Sequence, residues 1–244
     1  MNIEALTDVG KIRKINEDTF KYFTSDKYSY AVVADGMGGH LAGEVASKMA
    51  VDIIGDYIAE NMKDSLDRFQ AKEIINRAFK KANTQIYEYS CDNERVMGMG
   101  TTATLCMVRD GYIIYAHIGD SRAYTISDTI KQITRDHSYV QELVKLGQIT
   151  PEEAKHHPRR HYITRAMGVE DVVKVDVGID RYCGEKILIC SDGLYGEIED
   201  DELFRIIKSK SPEDGINELI KLANERGGSD NITAVIMEGE SEDA

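Results

Sequence analysis

The chain has 244 residues, 42% of them hydrophobic, with 30 basic and 43 acidic side chains and a formal net charge of −13. That length and apolar content suit one domain with a substantial core, and the acidic balance excludes a surface built to lie along a nucleic-acid backbone or an anionic membrane. A phosphate-bearing substrate must then be attracted locally, by metal ions or a few placed arginines.

Cys91, Cys106, Cys183 and Cys190 show no Cys-x-x-Cys spacing, and Cys190 lies inside an apolar run, where a thiol is usually a small core residue. This pattern predicts a reduced, cytoplasmic setting. The first ten residues carry two acids and no basic-then-apolar leader, and no apolar stretch approaches the ~18 residues of a membrane span. The expectation is a soluble cytoplasmic protein, and nothing in the sequence signals oligomerisation, so a monomer is expected.

In chain order, strands are predicted over 2–6, 19–23 and 30–34. Two helices follow: Leu41, Val45, Met49, Ile53 and Tyr57 recur every four residues, as do Ile74, Ala78, Ala82 and Ile86, so each should lay an apolar stripe on a sheet. Strands 102–108 and 112–118 flank Arg109-Asp110-Gly111 and read as a hairpin, because Asp-Gly suits a tight turn. Further strands are predicted over 122–126, 173–179 and 186–190; several of these runs are continuously apolar, as strands covered on both faces are. A third helix should span about 213–225, started by Ser211-Pro212 and stopped by Gly227-Gly228, before a last strand over 231–237. Residues 239–244 form a short acidic tail after a single domain over 1–238. Strands in adjacent hairpins and helices in a pair argue against strict βαβ alternation. An α+β fold follows, with antiparallel sheets and helices stacked outside them.

Aspartates recur at the ends of these strands: Asp35-Gly36 after 30–34, Asp120 after 112–118, Asp192-Gly193 after 186–190, and Asp230 just before 231–237. Taken singly, each Asp-Gly is a turn, since Asp bonds its own backbone and Gly takes positive φ. Taken together they place charge at the lip of buried strands, where an unpaired carboxylate is expensive. Gathered carboxylates repel one another unless a divalent cation neutralises them, and hard oxygen donors select Mg²⁺ or Mn²⁺ over zinc. The glycines would let backbone carbonyls reach a metal and leave room for water. Near the N-terminus, Arg13 could grip a phosphate with its planar fork, while Glu17 and Asp18 could hold metal-bound waters. A solvated charged loop is the other reading of that stretch.

The ordered segments RKINED (13–18), VVADGMGGH (32–40), GTTAT (100–104), HIGDSR (117–122), LICSDGL (188–194) and GGSDNITAV (227–235) resemble the motifs of the metal-dependent protein phosphatases, the type 2C serine/threonine phosphatases, in particular their compact bacterial members. The resemblance implies a four-layer α/β/β/α sandwich, two antiparallel β-sheets flanked by helix pairs, with two Mn²⁺ or Mg²⁺ ions between the sheet edges. It implies that Asp35 bridges both ions, the Gly36 carbonyl binds one, and Asp192 and Asp230 bind the other. Asp120, with Asp192, matches a third, weaker metal site; Asp18 would orient metal-bound water and Arg13 would hold the substrate phosphate. Glu17, His40 and Asn231 fall into supporting positions around these. One departure stands out: animal relatives resemble DGHAG where this chain has Asp35-Gly36-Met37-Gly38-Gly39. The histidine proposed there as general acid is Met37 here, which leaves His40 a supporting role and water as proton donor to the leaving group.

Residues 137–168 correspond to the family's flap beside the active site. Their HHPRRH segment is the most basic stretch in an acidic chain, open both as a phosphopeptide contact and as a solvated or internally paired loop. His157 and His161 are spaced i, i+4, but Pro158 disfavours a regular helix there, which discounts a zinc pair. The implied reaction is direct hydrolysis of phosphoserine and phosphothreonine in proteins, with a hydroxide bridging the two metals as the attacking group, in opposition to a serine/threonine kinase. No cysteine is followed six positions later by arginine and no Asp-x-Asp occurs, so nothing supports a phosphoenzyme; no Gly-x-Gly-x-x-Gly or Gly-Lys-Ser/Thr supports a nucleotide loop. Three alternatives remain at this point: a phosphatase dedicated to one regulatory phosphoprotein, similar to those acting on sigma-factor antagonists; a catalytically dead module that senses a ligand; and a structural cation-binding domain, which leaves Arg13 unexplained.

Overall fold

A computed structural model describes residues 1–38 and 42–239. In chain order its elements are β1 (Asn2–Asp8), β2 (Asp18–Thr24), β3 (Tyr28–Met37), α1 (Ala42–Asn61), α2 (Arg68–Asp92), β4 (Gly100–Thr101), β5 (Ala103–Arg109), β6 (Tyr112–Ile118), β7 (Arg122–Ile126), β8 (Ile130–Gln132), α3 (Tyr139–Lys145), α4 (Pro151–Lys155), β9 (Asp176–Arg181), β10 (Lys186–Cys190), α5 (Asp192–Tyr195), α6 (Asp200–Ser209), α7 (Pro212–Arg226) and β11 (Ile232–Glu238). One sheet runs β1-β11-β10-β7-β8; the other runs β2-β3-β5-β6-β9, with β4 pairing on β3. Every ladder is antiparallel.

Alternation along the strands stacks these sheets. In β3, Ala31 and Val33 turn towards the other sheet, where they meet Ala123, Ile187, Ile189 and Val235, while Val32 and Ala34 turn towards α1 and α2. All four are fully buried, which is why this stretch reads as an unbroken apolar run. A third core fills the far side of the first sheet, with Leu188, Cys190, Ala234 and Ile236 against Leu203 and Ile207 of α6 and Leu219 and Ala223 of α7. Three cores separate four layers, helix pair, sheet, sheet, helix pair, as the resemblance implied. Cys106 and Cys190 sit in two of these cores.

Local signals explain where elements begin and end. The β5–β6 hairpin closes through Asp110 (φ 50°) and Gly111 (φ 73°), the two positive φ values a two-residue turn of this hand demands. Ser211 caps α7 by accepting from the Asp214 amide, Pro212 opens it, and Gly227 ends it.

Three expectations shift. The stripe Val45, Met49, Ile53 and Tyr57 is only partly buried; the floor of α1 is Ala42, Ala46, Ala50, Ile54 and Ile58. Small residues let the helix lie close on β2 and β3. The strand expected at 173–179 pairs only from Asp176; Val173 and Val175 pack into the same helix-side core as Val177 and Ile179 without joining the ladder. And β3 runs on through Asp35 and Gly36 to Met37, where it pairs with β4. The short elements β4, β8, α3, α4 and α5, and the ten-residue α6, have no counterpart among the predicted ones. His40, Leu41 and residues 240–244 of the acidic tail lie outside the described residues. No helix among the described residues is long and apolar enough to cross a membrane.

Candidate functional site

Carboxylates from both sheets converge at one end of the sandwich. Asp35 near the end of β3 stands opposite Asp18 at the start of β2 in the ladder register. Asp120 sits in the turn from β6 to β7, where the chain changes sheets, Asp192 opens α5 directly after β10, and Asp230 lies two residues before β11. Asp18 and Asp120 are buried, while Asp35, Asp192 and Asp230 are half-buried.

Backbone packing draws these strand ends together. The Gly36 amide donates to the Glu17 carbonyl at 3.0 Å. A side chain at Gly36 would collide with the Gly43 carbonyl and, at 2.7 Å, with that of Glu17. So Gly36 and Gly43 are glycines because β3, the first turn of α1 and the β1–β2 loop touch backbone to backbone; the room for water inferred from the sequence is not what these contacts show. Asn231 splices the two sheets: its Oδ1 accepts from the Glu17 amide at 2.8 Å, and its Nδ2 donates to the carbonyls of Val9 and Ile15 at 3.0 Å each.

Hydroxyls fix the acids. The Thr233 amide donates to Ser191 Oγ at 3.0 Å, and Ser191 Oγ donates to Asp18 Oδ2 at 2.7 Å. The Asp35 amide donates to Thr102 Oγ1 at 2.9 Å, which is bonded to Ser121 Oγ at 2.7 Å, so Asp35 is linked to the turn that carries Asp120. Ser191, Thr102 and Gly43 were not singled out from the sequence. Their signal was proximity, since Ser191 and Ser121 adjoin acids that were singled out and Thr102 lies in the quoted GTTAT segment.

The electrostatics of the cluster are severe. Burial, with Asp192 and Asp230 adding to it, pushes Asp18 up to about 7 against the hydrogen bonds from Ser191 and Thr233. Burial and then the charges of Asp18, Asp192, Asp120 and Asp230 raise Asp35 well above the usual carboxylate range. Burial and the charges of Asp192 and Asp136 do the same to Asp120. Asp18 Oδ1, Asp120 Oδ1 and Glu17 Oε1 are buried without a hydrogen-bond partner. An orphaned buried carboxylate oxygen is costly unless a cation meets it. All the donors are hard oxygens, and no three Asp, Glu, His or Cys side chains among the described residues close on one point as a ready-made cage. Hard oxygen donors of this kind select a hard divalent ion. The residues present fit such a cation.

Arg13 stands at the rim. Its Nη2 donates to Asp230 Oδ2 at 2.8 Å, with the side chain 49% exposed. Met37 closes β3 half-buried. The basic flap segment reaches the cluster through His161, whose Nδ1 lies 3.9 Å from Asp192 Oδ2. Beside that segment the flap is pinned to the body by Lys155, whose Nζ pairs with Glu199 at 2.8 Å.

Comparison with known proteins places this geometry. The protein phosphatase 2C profile matches residues 12–211. The serine/threonine phosphatase Stp of Listeria innocua is 38% identical over 98% of this chain and 96% of its own length. Protein phosphatase PhpP of Streptococcus pneumoniae is 38% identical over the full length of both. Among solved structures, serine/threonine phosphatase Stp1 from Staphylococcus aureus superposes with a TM-score of 0.91 at 38% identity, covering 98% of this chain and 95% of that one. The Mycobacterium tuberculosis serine/threonine phosphatase PstP/Ppp follows with a TM-score of 0.89 at 32% identity, over 98% and 99%.

Proposed function

The chain belongs to the protein phosphatase 2C family, a metal-dependent family of protein phosphatases, and from that premise we propose how its own residues hydrolyse phosphoserine and phosphothreonine in proteins. The catalytic domain spans residues 1–238, and the enzyme acts in the cytoplasm on proteins phosphorylated by a serine/threonine kinase. Its four cysteines are unpaired thiols, two of them exposed, which suits a reducing compartment.

Asp35, the Gly36 carbonyl, Asp192 and Asp230 would hold two Mn²⁺ or Mg²⁺ ions, and Asp120 with Asp192 a third, weaker one. Such ions, when bound, supply Lewis acidity that activates water at neutral pH and offsets phosphate charge. Asp18, buried and held by Ser191, orients water through its free oxygen, Oδ1. Arg13 presents its guanidinium fork to the phosphate at the mouth of the cluster. Glu17 and Asn231 keep the β1–β2 loop, and with it Arg13 and Asp18, against β11. Met37 has no titratable proton, so solvent protonates the departing serine or threonine oxygen.

The single observation that carries this reading is the set of five aspartates from both sheets, with buried oxygens left unpartnered, directly below an arginine. The test is hydrolysis of p-nitrophenyl phosphate and of a phosphothreonine peptide with Mn²⁺, Mg²⁺, Ca²⁺ or EDTA, beside Asp35→Ala. Turnover with Mn²⁺ that vanishes in EDTA and in the variant is expected. A folded protein inactive with every metal would point instead to a ligand-binding module.

A further inference from the structure

The turn Gly119-Asp120-Ser121 hands the chain from one sheet to the other, and its backbone is held from several directions. The Asp120 carbonyl accepts from Tyr195 Oη at 3.1 Å. Tyr195 lies under the Arg122 guanidinium, 3.6 Å from the ring centre, and Arg122 is paired with Asp136 at 2.7 Å. The remaining grip belongs to the next residue, His137. Its amide donates to the Gly119 carbonyl at 2.7 Å, and its Nδ1 accepts from the Gly119 amide at 3.0 Å. Both polar groups of the residue preceding Asp120 are therefore taken by one side chain and its own backbone.

The imidazole is itself oriented. Because Nδ1 accepts from a backbone amide, the ring proton resides on Nε2, a tautomer assigned from this network. Nε2 donates to Asp176 Oδ2 at 3.1 Å; Arg165 Nη1 stands 2.8 Å from the same nitrogen, donor against donor, and is held there by donating to Asp176 Oδ1 at 3.0 Å. The ring is buried and tilted by 32° against His117, with the ring centres 4.7 Å apart. The His137 carbonyl accepts from the Thr164 amide at 2.8 Å, which ties the far end of the flap to its near end.

We propose that His137 is a positioning residue that aims the Asp120 carboxylate by clamping the Gly119 peptide from the base of the flap. This rests on Asp120 being a cation ligand. An aspartate whose free Oδ1 is buried binds a cation only as well as its backbone is aimed, and partners behind metal ligands are worth about 10–100-fold in affinity. The same clamp joins the Asp120 turn to both ends of the flap, so order at one is order at the other.

Calorimetric titration of the chelator-treated full chain with Mn²⁺ tests this, with Asp120→Asn, His137→Asn and His137→Gln beside the wild type. Amide exchange at Gly119 is followed by NMR in each. Asparagine places an amide oxygen near the position of Nδ1 and keeps the acceptor; glutamine reaches towards Asp176 and does not. The weak binding step is expected to be absent in Asp120→Asn, near its wild-type affinity in His137→Asn, and weakened about 10–100-fold in His137→Gln. Gly119 should exchange faster in the glutamine variant alone. A weak step lost in Asp120→Asn yet unchanged in His137→Gln overturns the proposal by itself. Equal losses in both His137 variants also overturn it, because they mark a packing role. A weak step that survives Asp120→Asn removes the ligand reading, and the proposal with it.

Discussion

Arg13 donates to an acid that the proposed reaction would require for a cation, yet a pair this exposed is screened and worth little. The guanidinium can leave Asp230 for a phosphate at small cost, and a charge-assisted contact to a substrate oxygen is the stronger bond. Arg13→Ala is therefore expected to raise KM for a phosphopeptide about tenfold with a smaller change in kcat; steady-state kinetics with KM unmoved would take Arg13 out of the phosphate site. A second residue carries a pH prediction. Burial, with His137 adding to it, holds His117 down to about 4. Its folded value lies below the unfolded one near 6.5, so its contribution to stability is present above pH 6.5 and lost as pH falls through about 4. In chelated protein, the wild type should lose on the order of 3 kcal/mol relative to His117→Asn over that window in urea titrations. Parallel losses in the two proteins would show that His117 does not take up the proton.

Elements meet most tightly where β3 passes the first turn of α1. Gly43 is helical, and a Cβ there would meet both the Gly36 backbone and the Glu17 carboxylate. Gly43→Ala gains helix propensity of about 1 kcal/mol but forces a methyl into that contact, so a net loss of about 1–2 kcal/mol and reduced turnover are expected. An unchanged urea midpoint would mean that the crossing has slack. This contact also shows what a periodic reading of the chain can and cannot see. The α7 boundaries were legible because Ser211, Pro212 and Gly227 act within their own few residues. The deep face of α1 was not, because Ala42, Ala46 and Ala50 carry a weak apolar signal and the larger Val45, Met49 and Ile53 beside them carry a strong one. The turn-length helices α4 and α5 bury too few apolar residues to show any period, and α6 buries only Leu203 and Ile207.

Across the whole molecule the aspartates were readable one at a time, at the ends of apolar runs, and their gathering followed from the cost of leaving each alone. The contacts that support them were not, although the resemblance already pointed to Glu17 and Asn231 as supporting residues. Ser191 reaches Asp18 across 173 residues of chain, Asn231 reaches Glu17 across 214, and His137 holds the peptide before Asp120 from the loop after β8. No local pattern encodes such partners; the sheet topology creates them. The same gathering predicts how the protein responds to chelation. Asp18, Asp35 and Asp120 have folded values raised above the unfolded 3.8, so their contribution is full below that value and lost as pH rises through the folded values, about 7 for Asp18. Chelated protein should melt at lower temperature at pH 8 than at pH 6, and Mn²⁺ should raise Tm more at pH 8. An equal rise at both pH values in calorimetric scans would mean that the cation does not relieve these carboxylates.

The order of strands β1-β11-β10 places the last strand between the first and one made roughly fifty residues before it. During synthesis on the ribosome, β1 must wait for β11, its neighbour in the sheet among the described residues, and Asp230 and Asn231 arrive with that same strand. A nascent chain therefore brings Asp230 to the other aspartates and joins the N-terminal loop bearing Arg13 in one closing step. A partly made copy, however well folded its helix pair, still has its aspartate cluster open on the side that β11 closes.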